Sequence, residues 1–372
     1  MRKIPLIKPY ITAEIKQRVS DVLDSGYLTE GPVTKELEKK IAAYLECKYA
    51  IAVTSATTGL EIALRALGIG PGDEVIVPDY TYPATASVVP IVGAKAIIVD
   101  VNREDMLINY QQIEANITDK TKAIIPVSLF GAPLDYEELD RLKKKYGVAI
   151  IEDAACSIGA VYRNKKVGNH ADITVFSLHP RKFITTGEGG IVATNNSELA
   201  NWMDSYKHFG MATGEAAREG IKFEIIGTNY KLTNIQSAIG LGQMDHIDVL
   251  LKRRIELANN YKRLISSTKG ILLPQILKKQ PNTQHSFQSY VVYIEDRDRI
   301  MKSMREAGIE VQIGSYSLHM HNAFNNDDQS VELVGSMLNS RWCYDHALAL
   351  PLYHDLTFED QEYIISSLQA LL

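Results

Sequence analysis

Residues 122–153 read KAIIPVSLFGAPLDYEELDRLKKKYGVAIIED. An apolar, β-branched run, KAIIPVSL, is followed by a helical stretch, LDYEELDRLKKKY, and by a second run, VAIIED. Continuous apolar runs of this length indicate strands buried on both faces, because a half-exposed strand alternates apolar with polar residues. Strand, helix and strand in succession predict a parallel pair with a helix laid over it. Lys143, Lys144 and Lys145 fall in the last turn of the predicted helix, where cations suit its dipole and solvent covers them.

The same pattern extends in both directions. Upstream stand the helical stripe of Ile15, Val19, Val22 and Leu23, the helix KELEKKIAAYLE, the run YAIAV, the helix TTGLEIALRAL, and the runs EVIVP and AKAIIVD. Downstream come DITVFS and GGIVATN. The fold class expected is α/β: a large domain with a mostly parallel mixed sheet flanked by helices. A single long helix is expected over roughly 230–265. Beyond it, SYVVYI, DRIMKSMREAG, IEVQI and FEDQEYIISSLQALL read as a smaller α+β unit. The predicted domains are residues 1–248 and 249–372, with the long helix crossing the boundary. Sheets of this kind take their ligands at the carboxyl ends of the strands.

Composition narrows the classes. The chain has 372 residues, 45% apolar and 23% charged, enough for a large core. A net charge of −5 gives no reason to expect nucleic acid. Cys47, Cys156 and Cys343 form no CxxC, which argues against a cysteine zinc site or a disulfide framework and fits a reducing compartment. No metal is expected. The first residues lack a long apolar stretch, and ASVVPIVGAKAIIVDV is broken by Pro90, Gly93 and Lys95, so neither a secretory signal nor a membrane span is expected. The expected location is the cytoplasm.

The densest chemical signal is FSLHPRKFITTGEGG, residues 176–190. Lys182 stands after a strand end, beside apolar Phe183 and Ile184, with His179 and Arg181 near and a glycine-rich turn following. A lysine that bonds a carbonyl needs its amine partly neutral, which burial and neighbouring cations favour. Asp153 ends the run VAIIED. It reads either as a helix cap or as an anion facing a ligand. SATTGL, residues 55–60, follows a strand and opens a helix, so its N–H groups form an anion site or a plain cap.

These segments, with SGYLTEGP, GIGPGDEVIVP, IIEDAACSIGA and NYKLTNIQSAIGLGQM, resemble the DegT/DnrJ/EryC1/StrS family of sugar aminotransferases over essentially the whole chain. The resemblance implies the aspartate aminotransferase fold (fold type I) and pyridoxal 5′-phosphate as cofactor. It implies Lys182 as the Schiff-base lysine, and Asp153 as the carboxylate that keeps the ring nitrogen protonated and the ring a good electron sink. Ala56 and Thr57, in a loop that usually reads Ser-Gly-Thr, and Ser177 would hold the phosphate. Tyr82, in PDYTYPATA, would stack on the ring. Asn229 would come from the other subunit of a homodimer with shared active sites. Cys156 stands where the family usually has Gln or His near the ring oxygen; a thiol is a weak donor. Lys231 stands where arginine is usual, and its role is open.

On the substrate side the resemblance points to Tyr27 and Thr29 in SGYLTEGP and to His319 in GSYSLHMH. The implied reaction moves an amino group from L-glutamate to a nucleotide-linked keto-sugar, a 4-keto-6-deoxyhexose ahead of a 3-keto sugar. Two alternatives are weighed: a sugar dehydratase of the same fold, in which histidine typically replaces the lysine, and a non-catalytic regulatory or sensory homologue.

Overall fold

The computed structural model describes residues 2–212, 220–266, 268–275, 281–325 and 329–372. The apolar runs become an eight-stranded sheet in the order Tyr49–Val53, Gly190–Thr194, Ile173–Ser177, Ala149–Asp153, Thr121–Ile124, Glu74–Pro78, Lys95–Val99, Val331–Val334. All neighbours are parallel except at Gly190–Thr194, which is antiparallel to both of its partners. The mostly parallel mixed sheet is the one expected.

Successive residues of one strand serve opposite faces. Ile76 and Ile97 join a core that includes Leu37, Ile41 and Leu45 of the helix Pro32–Leu45. Val75, Val77 and Ile98 join another that includes Leu60, Ile62 and Leu64 of the helix Ala56–Ala66. Each such side chain, taken fully from water, contributes roughly 1.5–3 kcal/mol. Helix ends follow local chemistry. Thr12 caps the helix Ala13–Ser25 by accepting from the Ile15 N–H, and Gly26 closes it at φ 69°.

A second, antiparallel sheet runs Ile271–Leu272, Tyr290–Ile294, Ala347–Leu350, Gln312–Ile313, packed on the helices Ile247–Ile265 and Phe358–Gln369. This is the smaller α+β unit. The helix expected over 230–265 is two, Asn234–Met244 and Ile247–Ile265, parted at Asp245 and His246. Asp245 is drawn to Arg18 and Lys40 at that break. We keep 1–248 and 249–372 as a proposed division, with two exchanges between them. Val331–Val334 pairs in parallel with Lys95–Val99, and Ile4 bridges to Ile309 and packs in the core of the small sheet. Among the described residues no helix is long and apolar enough to cross a membrane.

Candidate active site

Parallel strands deliver their last residues to one edge of the sheet, and Asp153 is the last residue of Ala149–Asp153. Its carboxylate is buried. Oδ2 accepts from the Thr85 hydroxyl at 2.7 Å, and Oδ1 from the Ala155 N–H at 3.1 Å. Thr85, buried in turn, shares a 2.9 Å hydroxyl contact with Thr81. No lysine, arginine or histidine among the described residues forms a salt bridge with Asp153. Burial pushes its pKa above the ordinary carboxylate value, against the hydroxyl of Thr85, the amide of Ala155 and, last, the charge of Lys182. A buried carboxylate short of a cation is poised to receive one.

Lys182 is half-buried, and its Nζ donates to Cys156 Sγ at 3.0 Å. Cys156 lies three residues beyond Asp153, so the amine and the carboxylate converge on one short segment. The lysine loop is clamped by two buried glutamines. Gln288 accepts from the Phe183 N–H at 3.0 Å and donates to the Arg181 carbonyl at 2.7 Å. Gln243 accepts from the Thr185 N–H at 2.9 Å and donates back to its carbonyl at 3.1 Å. Arg181 turns outward to Gln312, 2.9 Å away. His179 lies under the loop, taking the Arg181 N–H on Nδ1 at 3.2 Å.

Beside them begins the helix Ala56–Ala66. Ser55 and Thr58 cap each other reciprocally, while Ala56 and Thr57 supply the first two N–H groups, which have no intrahelical acceptor. Val53, Gly190 and Ser177 stand in one register across three strands, which brings Ser177 alongside this helix start. Gly190 is needed there, because a Cβ on it would lie 2.5 Å from the carbonyl carbon of Ser55 and 2.7 Å from the Ala56 nitrogen.

Tyr82 is 65% exposed, its ring edge-on to Tyr316 at 6.0 Å. Asn229 is exposed and receives the Lys231 amine. Its segment runs along the end of strand Tyr49–Val53, with the Tyr230 carbonyl taking the Thr54 N–H at 3.0 Å. Tyr27 and Thr29 are exposed on a loop that Asn234 fastens, its Nδ2 donating to the Tyr27 carbonyl at 2.9 Å. His319 is partly exposed and held by buried Asp79. Thr85, Gln243, Gln288, Asn234 and Asp79 were not singled out from the sequence.

The model of the DegT/DnrJ/EryC1/StrS aminotransferase family matches residues 9–369. The chain belongs to this family. Its relatives include an uncharacterized protein of Methanocaldococcus jannaschii, 33% identical over 99% of this chain and 97% of that one. Among solved structures, Spr1654 of Streptococcus pneumoniae in its PMP form superposes with a TM-score of 0.90 at 29% identity, covering 100% of this chain and 98% of the other. PseC of Helicobacter pylori, an aminotransferase involved in the biosynthesis of pseudoaminic acid, gives 0.89 at 27% identity over 99% and 98%. This DegT-family chain is an aminotransferase of the pyridoxal-phosphate-dependent kind, with the α/β fold of its neighbours. The residues present fit that cofactor. Among the described residues a buried carboxylate forms no salt bridge, an amine has a thiol as its one hydrogen-bond partner, and a helix start offers N–H groups without an intrahelical acceptor.

Proposed function

We propose that this aminotransferase moves an amino group from L-glutamate to the keto group of a nucleotide-linked sugar, C4 of a 4-keto-6-deoxyhexose ahead of C3. The observation that carries the reading is the amine of Lys182 and the cation-poor carboxylate of Asp153 gathered at one strand edge. Lys182, in place of the histidine of the dehydratases, favours amino transfer over dehydration. The likeness to PseC, involved in the biosynthesis of pseudoaminic acid, and to Spr1654, a sugar aminotransferase by its description, supports the substrate class.

Pyridoxal phosphate, when bound, supplies an aldehyde that captures amines and a ring that accepts electrons. In this reading the Lys182 amine would hold that aldehyde and, when free, would move a proton to and from the substrate carbon. Asp153 would accept from the ring N–H and keep it charged. The Ala56 and Thr57 N–H groups and the Ser177 hydroxyl hold the phosphate at the helix start. Tyr82 would cover one ring face, and Cys156 would lie on the ring-oxygen side. Tyr27, Thr29 and His319 contact the sugar nucleotide. Asn229 completes the phosphate site across a homodimer, for which the exposed Phe209, Phe223 and Ile226 (98% exposed) offer apolar surface.

Cofactor-loaded protein offered L-glutamate and a panel of nucleotide keto-sugars should convert one of them to an amine, identified by mass and by NMR of the ring carbon. Exchange among 2-keto acids with no sugar aminated would sink the substrate class. Borohydride reduction should leave the cofactor on the peptide containing Lys182; a label on any other lysine would sink its assigned role.

A further inference from the structure

The carboxylate of Asp79 follows the strand Glu74–Pro78 and is wholly buried. His319 is its ring partner, with Nδ1 2.6 Å from Oδ2, while the His319 backbone N–H donates to Oδ1 at 2.8 Å. The Ser340 hydroxyl also donates to Oδ2, and the Leu318 N–H reaches the Asp79 carbonyl at 3.0 Å. The ring and the backbone of one residue are thus locked on one carboxylate. Nδ1 must carry the proton to donate to Asp79, which leaves Nε2 a bare acceptor while the ring is neutral. Among the described residues Nε2 has no partner, and the side chain retains 20% exposure.

The pair stands beside the site. Tyr316, three residues before His319, meets Tyr82, and Tyr316–Ser317 pairs with Tyr80–Thr81. Two residues beyond Asp79, Thr81 contacts Thr85, which donates to Asp153. One short run, residues 79–85, therefore holds His319 at one end and the cofactor carboxylate at the other.

We infer that Asp79 is a positioning residue that fixes the tautomer of His319, so that Nε2 accepts a hydroxyl proton of the sugar. This rests on the sugar reading above. Asp79 touches no substrate; it sets the distance and direction between the sugar-holding imidazole and the reacting carbon.

The test combines kinetics with the ring spectrum. Asp79→Asn should raise KM for the keto-sugar about tenfold, as expected for one misaligned hydrogen bond, with kcat changed far less. Bleaching of the cofactor band by L-glutamate alone should be unchanged. His319→Gln should reproduce the rise, and the double variant should be no worse than the worse single one. In protein carrying 15N-labelled histidine, His319 should show a protonated Nδ1 and a bare Nε2. A proton on Nε2, or an Asp79→Asn variant with unaltered KM, would overturn the assignment. If Asp79→Asn fails to fold, His319→Gln and the ring spectrum decide. If wild type aminates no keto-sugar, the substrate class is at fault, and the ring spectrum alone decides the role of Asp79.

Discussion

Two buried charges in this protein are treated in opposite ways. Lys207 is fully buried, and its Nζ lies 3.0 Å from Glu30, 3.1 Å from Glu38 and 3.2 Å from Asp204, with the Ala52 carbonyl at 3.1 Å. Burial alone would lower its pKa; Glu38, Asp204 and Glu30 outweigh it and hold the ammonium above its ordinary value. Three carboxylates share Lys207 with the more exposed Lys35 amine, 2.9 Å from Glu38 and 3.1 Å from Asp204. The oxygens of Glu30 are buried without a hydrogen-bond donor among the described residues, facing Lys207, Lys35 and His208 as charge partners. Asp153 has the reverse condition, a buried anion with two neutral donors and, among the described residues, no salt bridge, the Lys182 charge being the weakest influence on it. A paired network ties elements together: Lys207 joins the loop of Glu30, the helix of Glu38 and the helix Ser197–Tyr206. A cation-poor carboxylate costs stability in the free protein and is the one that a charged ligand relieves.

The largest test of this contrast removes the group on which the site converges. Lys182→Ala should lower turnover about 10⁴-fold, the upper range for a positioned acid–base group, with melting unchanged. Asp153→Asn should lower turnover about 10²–10³-fold, the loss of one preorganised electrostatic partner, and should raise the melting temperature of cofactor-free protein at pH 8. Lys207→Met should do the opposite. It takes from Glu30 and Glu38 their buried cation, leaving them the more exposed Lys35 amine at 3.4 and 2.9 Å, and should cost about 3 kcal/mol in denaturant unfolding. If Asp153→Asn destabilised as strongly as Lys207→Met, the distinction between the two charges would be lost.

Smaller effects sharpen it. Gly190→Ala drives a methyl into the Ser55 carbonyl and should cost about 1–3 kcal/mol, weakening phosphate affinity in equilibrium dialysis. Glu152, next to Asp153 in the chain, is also buried, and burial raises its pKa to about 7 despite hydroxyl donors from Ser128 and Tyr136. Its folded-state pKa lies above the unfolded one, so the folded form binds more protons between about 4.5 and 7 and stability falls as pH rises through that window. Glu152→Gln should flatten this slope in melts recorded from pH 5 to 8.

The fold was largely legible because AKAIIVD, EVIVP and VAIIED each carry an unbroken apolar run, AIIV, VIV and VAII, that serves both faces of the sheet. Val331–Val334 was not, because it is a four-residue edge strand with Glu332 exposed and a short run of that kind carries little periodicity. The break at Asp245 was masked because apolar residues recur at helical spacing on both sides of it. At the site, Lys182 stands in a dense local motif, whereas VAIIED alone leaves Asp153 either a helix cap or a ligand-facing anion, and its proposed role comes from the family resemblance. Thr85, Gln243, Gln288 and Asp79 were not legible. Each is one polar residue whose partner lies 68, 58, 105 or 240 positions away, and only the folded chain brings such pairs together.

The late strand Val331–Val334 also governs how the protein must be born. Its neighbour Lys95–Val99 is translated more than two hundred residues earlier and waits with one row of backbone groups unmatched. A nascent chain that stalls on the ribosome before residue 334 leaves that row open to any passing strand, so the arrival of this one late strand guards the sheet against mispairing.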